Sequence, residues 1–194
     1  MSSLSNAPRE SYQSKRYEDY AYVLDFIPRA KSAVIKEREG PLLQAIGEDR
    51  LSILEILAAQ GAVFEIGEKI SIGKENRSKI VSVLGKLDYS DLTSEARNVL
   101  GSVLENMIIE NQTKYIHYFN ELQPITPRLH GLELIPGIGK TFMRQIVSQR
   151  ERKKFENFKD LSQRVGIRDP AQLVAKRIVE ELSGGSRVLI FVGR

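Results

Sequence analysis

The sequence predicts an α+β protein: a small β-barrel in the first half, a helical connector, and an all-α unit in the second half. Three observations carry this. Between residues 20 and 87, short runs rich in Val, Ile and aromatics alternate with glycines and charged loops at regular spacing. From 94 to 122, apolar residues recur at three- and four-residue steps. From 128 to 183, four short helical patterns are separated by Gly and Pro. The chain has 194 residues, 41% hydrophobic and 28% charged, which suits an ordinary globular protein with a real core.

Residues 1–16 are polar, with Ser, Asn and Pro, and are expected to form a flexible tail. Five runs then read as strands: 20–27, 41–47, 51–59, 62–73 and 78–87. Five strands in so short a span suit an OB-like barrel over 17–90. The run 51–59 fits a helix as well, because its period is ambiguous. A connector follows over 91–123. Its apolar stripe is Ala96, Val99, Leu100, Val103, Leu104, Met107 and Ile108, with Thr93 placed as N-cap and Glu95 in the first turn. The stripe resumes at Tyr115, Ile116, Phe119 and Leu122 and stops at Pro124. The two prolines of 124–127 stiffen a domain junction. Helices are expected at about 128–135, 140–152, 158–165 and 170–183, within a unit spanning 124–185. Asp169 and Pro170 open the last helix, and Gly184 and Gly185 close it. Residues 186–194 form a strand-like tail that must pack somewhere, a return to the barrel being one option.

Composition bounds the function. Net charge is only +4, but residues 128–183 carry 12 Lys and Arg against 7 Asp and Glu, whereas residues 1–127 carry 15 against 18. That asymmetry points to a polyanionic partner at the C-terminal end. No run approaches the roughly 18 apolar residues of a membrane span, and the first residues lack the apolar segment of a signal peptide. A cytoplasmic location is expected. Cysteine is absent, which excludes disulfides and thiolate metal sites.

The informative stretch is 132–155. Pro136, Gly137, Ile138 and Gly139 lie between two helical patterns, and two glycines in four residues permit a tight reversal without side-chain cover. The next helix starts at about Gly139 or Lys140, where unpartnered amides and the positive end of the helix dipole form an anion site. Lys140 and Thr141 stand beside it, Arg144 lies one turn on, and Ile138 is the apolar peg into the core. This segment, Leu134 to Thr141, resembles the helix-hairpin-helix family. There the hairpin amides hold a nucleic-acid phosphate without reading sequence, sometimes with a bound monovalent cation; no other cofactor is expected. The resemblance implies that Gly137, Ile138, Gly139 and Lys140 make the contact. One departure is Phe142, where the family often has a small alanine. Residues 158–184 resemble a degenerate second unit, with Val165, Gly166 and Ile167 in place of the double-glycine turn, and Arg164 and Arg168 extending the basic face. Asp169 at its helix cap would repel phosphate, so this hairpin reads as structural.

The whole chain also resembles an uncharacterised archaeal family of predicted RNA- or nucleotide-binding proteins that joins an OB-like barrel to a tandem helix-hairpin-helix domain. The likeness runs from about Tyr17 to Val192 and is anchored by Glu18, Asp19 and Tyr20, by residues 45–50, by Ile66, Gly67 and Glu68, and by Pro124, Ile125 and Thr126.

Other candidates are open to two readings. The basic run 150–154, with Arg150 and Lys153, reads as a phosphate grip or as a solvated helix end. Lys74, Arg77 and Lys79, in the turn 73–79, read as a nucleic-acid loop of the barrel or as a hydrophilic hairpin tip. Tyr12, Tyr17, Tyr20 and Tyr22 flank Lys15 and Arg16 as a stacking patch, or else Tyr20 and Tyr22 simply share a strand face. His117 and His130 have no partners suggesting a metal or a nucleophilic triad. Only one residue separates the glycines before Lys140, where a P-loop needs four. The expectation is a non-enzymatic, sequence-independent nucleic-acid binder, RNA more than DNA. A protein-interaction adaptor is the alternative, and a nucleotide-dependent enzyme the least supported reading.

Overall fold

The structure, a computed structural model, describes residues 17–74 and 77–193; the tail expected over 1–16, with Tyr12, Lys15 and Arg16, lies outside them. The fold is mixed α+β. A five-stranded antiparallel sheet has the order β4-β1-β2-β3-β5 and curls into a half-barrel, with β1 at Tyr20–Lys31, β2 at Glu39–Gly47, β3 at Ile53–Ala58, β4 at Lys69–Ser71 and β5 at Ile80–Lys86.

Alternation along each strand sorts side chains between the two faces of the sheet. Ala21, Val23, Leu43, Ala45, Leu54, Ile56 and Ala58 fill the inside of the curl together with Ile70, Ile72 and Ile80. Tyr22, Leu24, Ile46 and Ile53 point the other way, into a second core built with the helices. The ambiguous run 51–59 is therefore a strand: all six residues of β3 are buried, and both faces have somewhere to go.

Helix α1 (Ser94–Glu110) crosses the outer face of the sheet, burying Ala96, Leu100, Val103, Leu104, Met107 and Ile108. It is capped as expected: the Thr93 hydroxyl accepts from the Ala96 amide at 3.0 Å and donates to Asp25 Oδ2 at 2.7 Å. Gln44 fixes its start from the sheet, donating to the Asp91 carbonyl at 2.9 Å and accepting from the Thr93 amide at 2.8 Å. After a break at Asn111, α2 (Gln112–Glu121) buries Tyr115, Ile116 and Phe119.

The segment before residue 136 departs from expectation. The helix expected over 128–135 is a two-stranded ribbon, β6 (Pro124–Thr126) with β7 (Leu129–His130), followed by one 3₁₀ turn, Gly131–Leu134. Proline rigidity at 124 and 127 favours the extended form, and His130 starts the turn, its Nδ1 accepting from the Leu132 amide at 3.1 Å. The other three helices match closely: α3 (Lys140–Arg152), α4 (Phe158–Val165) and α5 (Pro170–Leu182). Asp169 precedes α5 in the left-handed region at φ 47° and its side chain makes no capping bond, so the cap expected of it is absent. The strand expected in the tail is also absent: 188–193 runs as bends, with Phe191 edge-on to Tyr118 at 4.7 Å between ring centroids.

Three buried carboxylates hold the loops. Glu55 accepts from the amide of Ala33 at 2.9 Å and from the Ser32 hydroxyl, closing the β1–β2 loop. Glu18 accepts from the amides of Asp49 (2.7 Å), Arg50 (3.0 Å) and Ser52 (3.3 Å), closing the β2–β3 turn. Glu181 accepts from the amides of Ile190 (2.8 Å), Phe191 (3.0 Å) and Val192 (3.0 Å), and from Arg177 Nε at 2.9 Å.

Two predictions follow from these contacts. In Glu181→Ala the buried Arg177 loses its buried partner and keeps only Glu180 at 3.5 Å, a loss of about 3 kcal/mol; urea unfolding measures it, and the amides of 190–192 should lose protection from hydrogen exchange. Glu48 supplies the second. Burial pushes its carboxyl up, but hydrogen bonds from Lys69 and Asn111 outweigh this and hold it below the usual carboxylate range. Its contribution to stability is therefore present above a free carboxylate's pKa, about 4.3, and lost as pH falls through the lowered value. Glu48→Gln should flatten the acid limb of a stability-versus-pH curve.

Candidate functional site

The residues of the expected hairpin form one open bend. Ile135 is fully buried and Ile138 is 3% exposed, so the two isoleucines nail the loop to the core from either side. The Ile138 amide donates to the Ile135 carbonyl at 3.0 Å, which closes a tight turn over Pro136 and Gly137. Gly137 sits at φ 86°, where a side chain would be strained and would also meet Leu173. Gly137 before the Ile138 anchor, and Gly139, Lys140 and Thr141 after it, are exposed.

Gly139 is the N-cap of α3, with φ −85° and no side-chain cap. The amides of the first turn therefore face solvent at the positive end of a 13-residue helix. A Cβ at Gly139 would meet nothing within 4 Å, so neither conformation nor packing within the chain demands glycine there. Lys140 and Arg144 are exposed, and neither forms an ion pair among the described residues. Ile138 differs from its neighbours: its side chain is buried and its amide is spent in the turn, so it positions the bend and has no donor left for a ligand. Phe142, the departure from the family's alanine, is partly buried against the core.

A second bend repeats the first. Gly166 lies at φ 82° and Ile167 is 3% exposed, the same glycine-then-buried-isoleucine order as Gly137 and Ile138. It differs where an anion would approach. Arg168 and the carboxylate of Asp169 replace Gly139 and Lys140, and Arg164 is occupied by Asp160 at 3.1 Å and by the carbonyls of Gln149 and Lys153, each at 2.7 Å.

The remaining candidates divide by what already holds them. Arg150 is inside the structure: it donates to the carbonyls of Phe119 at 3.0 Å and Leu122 at 2.9 Å, closing the end of α2. Lys153 pairs with Glu156 at 2.7 Å on the surface. In the barrel, Arg77 donates to the Ile72 carbonyl at 3.1 Å and Lys79 pairs with Glu68 at 2.5 Å, its Nζ also over the Phe64 ring at 5.3 Å. Lys74 is exposed and has no such partner among the described residues. Tyr20 and Tyr22 do share a face, with Lys69 Nζ at 4.7 Å and 5.6 Å from their ring centroids, but Tyr22 is buried. His130 is tied up in the turn before the hairpin, where burial and then Arg150 push its imidazole below the usual value. Sequence reasoning did not single out Arg50 or Lys86, which the curl of the sheet brings to the seam between β4 and β5. Local spacing carries no signal of a contact made across the sheet.

Residues 17–193 match a family model described as "Protein of unknown function (DUF655)". The uncharacterized protein MJ0038 of Methanocaldococcus jannaschii is 38% identical over 169 residues, 87% of this chain and 76% of that protein. The crystal structure of Af1531 from Archaeoglobus fulgidus, of the same family, is similar at a TM-score of 0.80 and 36% identity, over 91% of this chain and all of that one. The family match spans nearly the stretch, Tyr17 to Val192, that the anchors of the sequence mark out.

The internal bonds of Arg150 give a testable distinction. Arg150→Ala should cost stability, about 1.5–3 kcal/mol for each charged hydrogen bond lost to α2, and leave unchanged any affinity for nucleic acid that the folded protein has. A thermal melt alongside a binding titration measures both.

Proposed function

We propose that this chain, which belongs to the DUF655 family of proteins of unknown function, binds nucleic acid independently of sequence, with RNA and single strands preferred. The contact is the Gly137–Lys140 bend, read as the phosphate-binding hairpin of a tandem helix-hairpin-helix domain. One observation carries the reading. Gly139 meets nothing where a Cβ would stand, at the mouth of a helix whose exposed first residues have no side-chain cap among the described residues. A bare backbone there lets a phosphate come within hydrogen-bond reach of several amides at once.

Other features support it. Lys140 and Arg144 add two exposed cations to the same helix end, neither of them in an ion pair among the described residues. The repeated Gly-Ile bend at Gly166 and Ile167 matches what a tandem, partly degenerate domain would contain. The preference for single strands rests on the sheet. Its order, with β4 and β5 on opposite edges, is that of a partly open five-stranded barrel, and an OB-type barrel is a scaffold for unpaired nucleic acid. The reading assigns binding and no reaction.

The experiment is a salt titration of affinity for generic RNA and DNA. Affinity should fall steeply with salt, and Lys140→Ala should reduce the slope by about 0.7–0.9, the share of one phosphate contact. Gly139→Leu should weaken binding at least about tenfold, the equivalent of one charged hydrogen bond of about 1.5 kcal/mol. The protein should stay folded with at most the small loss of an N-cap glycine, about 1 kcal/mol, because a Cβ there meets no protein atom within 4 Å. A weak affinity with a flat salt slope would instead indicate an adaptor that works through protein contacts, and would overturn the proposal.

A further inference from the structure

The half-barrel carries a second feature that the hairpin does not use. At the seam between the unpaired edges β4 and β5, a cleft of about 640 Å³ opens among the start of β1, the β2–β3 turn and the ends of β4 and β5. A cleft of this size accommodates a small organic ligand, within the usual span of about 300–1,000 Å³. Its floor is apolar, with Leu54, Ile72 and Val83, and Tyr17 stands at its edge, 78% exposed.

Its charge is unbalanced in one direction. Arg50, Lys74 and Lys86 line it, and none of the three side chains has an ion pair or hydrogen bond among the described residues. Arg77 also lines the cleft, with two of its five donors directed to the carbonyls of Ile72 at 3.1 Å and Val81 at 3.4 Å. Of the two acids, Glu18 is already saturated by three amides of the β2–β3 turn, and Asp19 lies beside Gly73. Arg50 Nε is enclosed beneath the chain at Gly193 with no hydrogen-bond partner among the described residues, so it is the outer nitrogens of the guanidinium that are left for the cleft.

From these observations we infer that the cleft is a nucleotide site. A phosphate is held by Arg50, Lys74 and Lys86, and a base lies against Tyr17 and the apolar floor. The combination is specific in kind. Inorganic anions would use the cations but not the apolar wall and the ring, while a neutral apolar ligand would leave three cations unused. Free nucleotide and the end of a single strand present the same chemistry to such a cleft. The site does not depend on the hairpin reading, because it shares no residue with the Gly137–Lys140 bend.

The test is amide NMR on the full chain, titrated separately with adenosine monophosphate, an eight-residue oligoadenylate and inorganic phosphate. Adenosine monophosphate should shift the amides of Ser52, Gly73 and Gly85 saturably, and do so equally in Gly139→Leu protein. Saturable shifts with the monophosphate assign the site to a free or terminal nucleotide; shifts with the oligomer alone assign it to a strand. Lys74→Glu with Lys86→Glu, both on the surface, should weaken the binding at least tenfold with an unchanged melting temperature. Tyr17→Ala should weaken the monophosphate and leave inorganic phosphate unaffected. The inference fails if neither nucleotide probe shifts the cleft, if the double variant binds as tightly as the parent, or if inorganic phosphate binds as well as the nucleotide.

Discussion

The structure depends on how the β2–β3 turn, residues 47–52, satisfies its backbone. A buried turn has amides and carbonyls that no ladder pairs, and each one left unmet costs free energy. Here the two sets are met from opposite sides. Glu18 takes the amides of Asp49, Arg50 and Ser52, and Lys114 on α2 gives its ammonium to the carbonyls of Glu48 at 2.9 Å and Asp49 at 2.8 Å. Burial lowers the Lys114 ammonium, and the nearby charges of Asp49, Glu18 and Glu48 oppose that shift. The geometry leaves no room for variation at Gly47, where a Cβ would fall 2.2 Å from the Glu18 carboxyl. This explains in physical terms why Glu18 and the 45–50 segment behave as one unit although the sequence separates them.

From that turn the rest of the architecture follows. Glu48 reaches Lys69 on β4 at 2.6 Å and Asn111 between the helices at 3.0 Å, while Tyr22 on β1 reaches Glu110 at 2.9 Å. Sheet edge, helix break and β1 are thus bonded at one polar centre. Beyond it, a continuous apolar core runs from Tyr22 and Leu24 through α1 to Ile138, Ile146 and Ile178. The hairpin is therefore mounted on a packed body rather than on a free loop. A phosphate site made of backbone amides needs that rigidity, because the donors have no rotamers with which to adapt.

Much of this was legible from residue order. Short runs rich in Val, Ile and aromatics overlap all five strands of the sheet, although 51–59 fitted a helix as well, and the three- and four-residue apolar steps located α1 with its Thr93 cap. What escaped was decided at long range. Residues 188–192 read as a strand by composition, yet they are held as bends by Glu181, a partner on α5 that no local pattern announces. The stretch 128–135, expected as a helix, instead supplies the second strand of the ribbon. The prolines kept the chain extended until only one 3₁₀ turn remained before Pro136.

The candidate site residues show the same division more sharply. A basic sequence lists cations but does not say which are already spent. Arg150, Arg77, Lys79 and Arg164 all donate to carbonyls or carboxylates within the chain, so their charge serves the fold first. Lys140, Arg144 and Lys74 look no different in sequence, yet among the described residues they hold nothing. A net charge of +4 is thus a poor footprint for a polyanion site, because a cation bonded inside the protein offers little to a phosphate outside it. The useful measure is the unspent donor. By that measure two places stand out, the α3 entrance with its uncapped first turn and the β4–β5 seam with Lys74 and Lys86, each built from groups that hold nothing among the described residues.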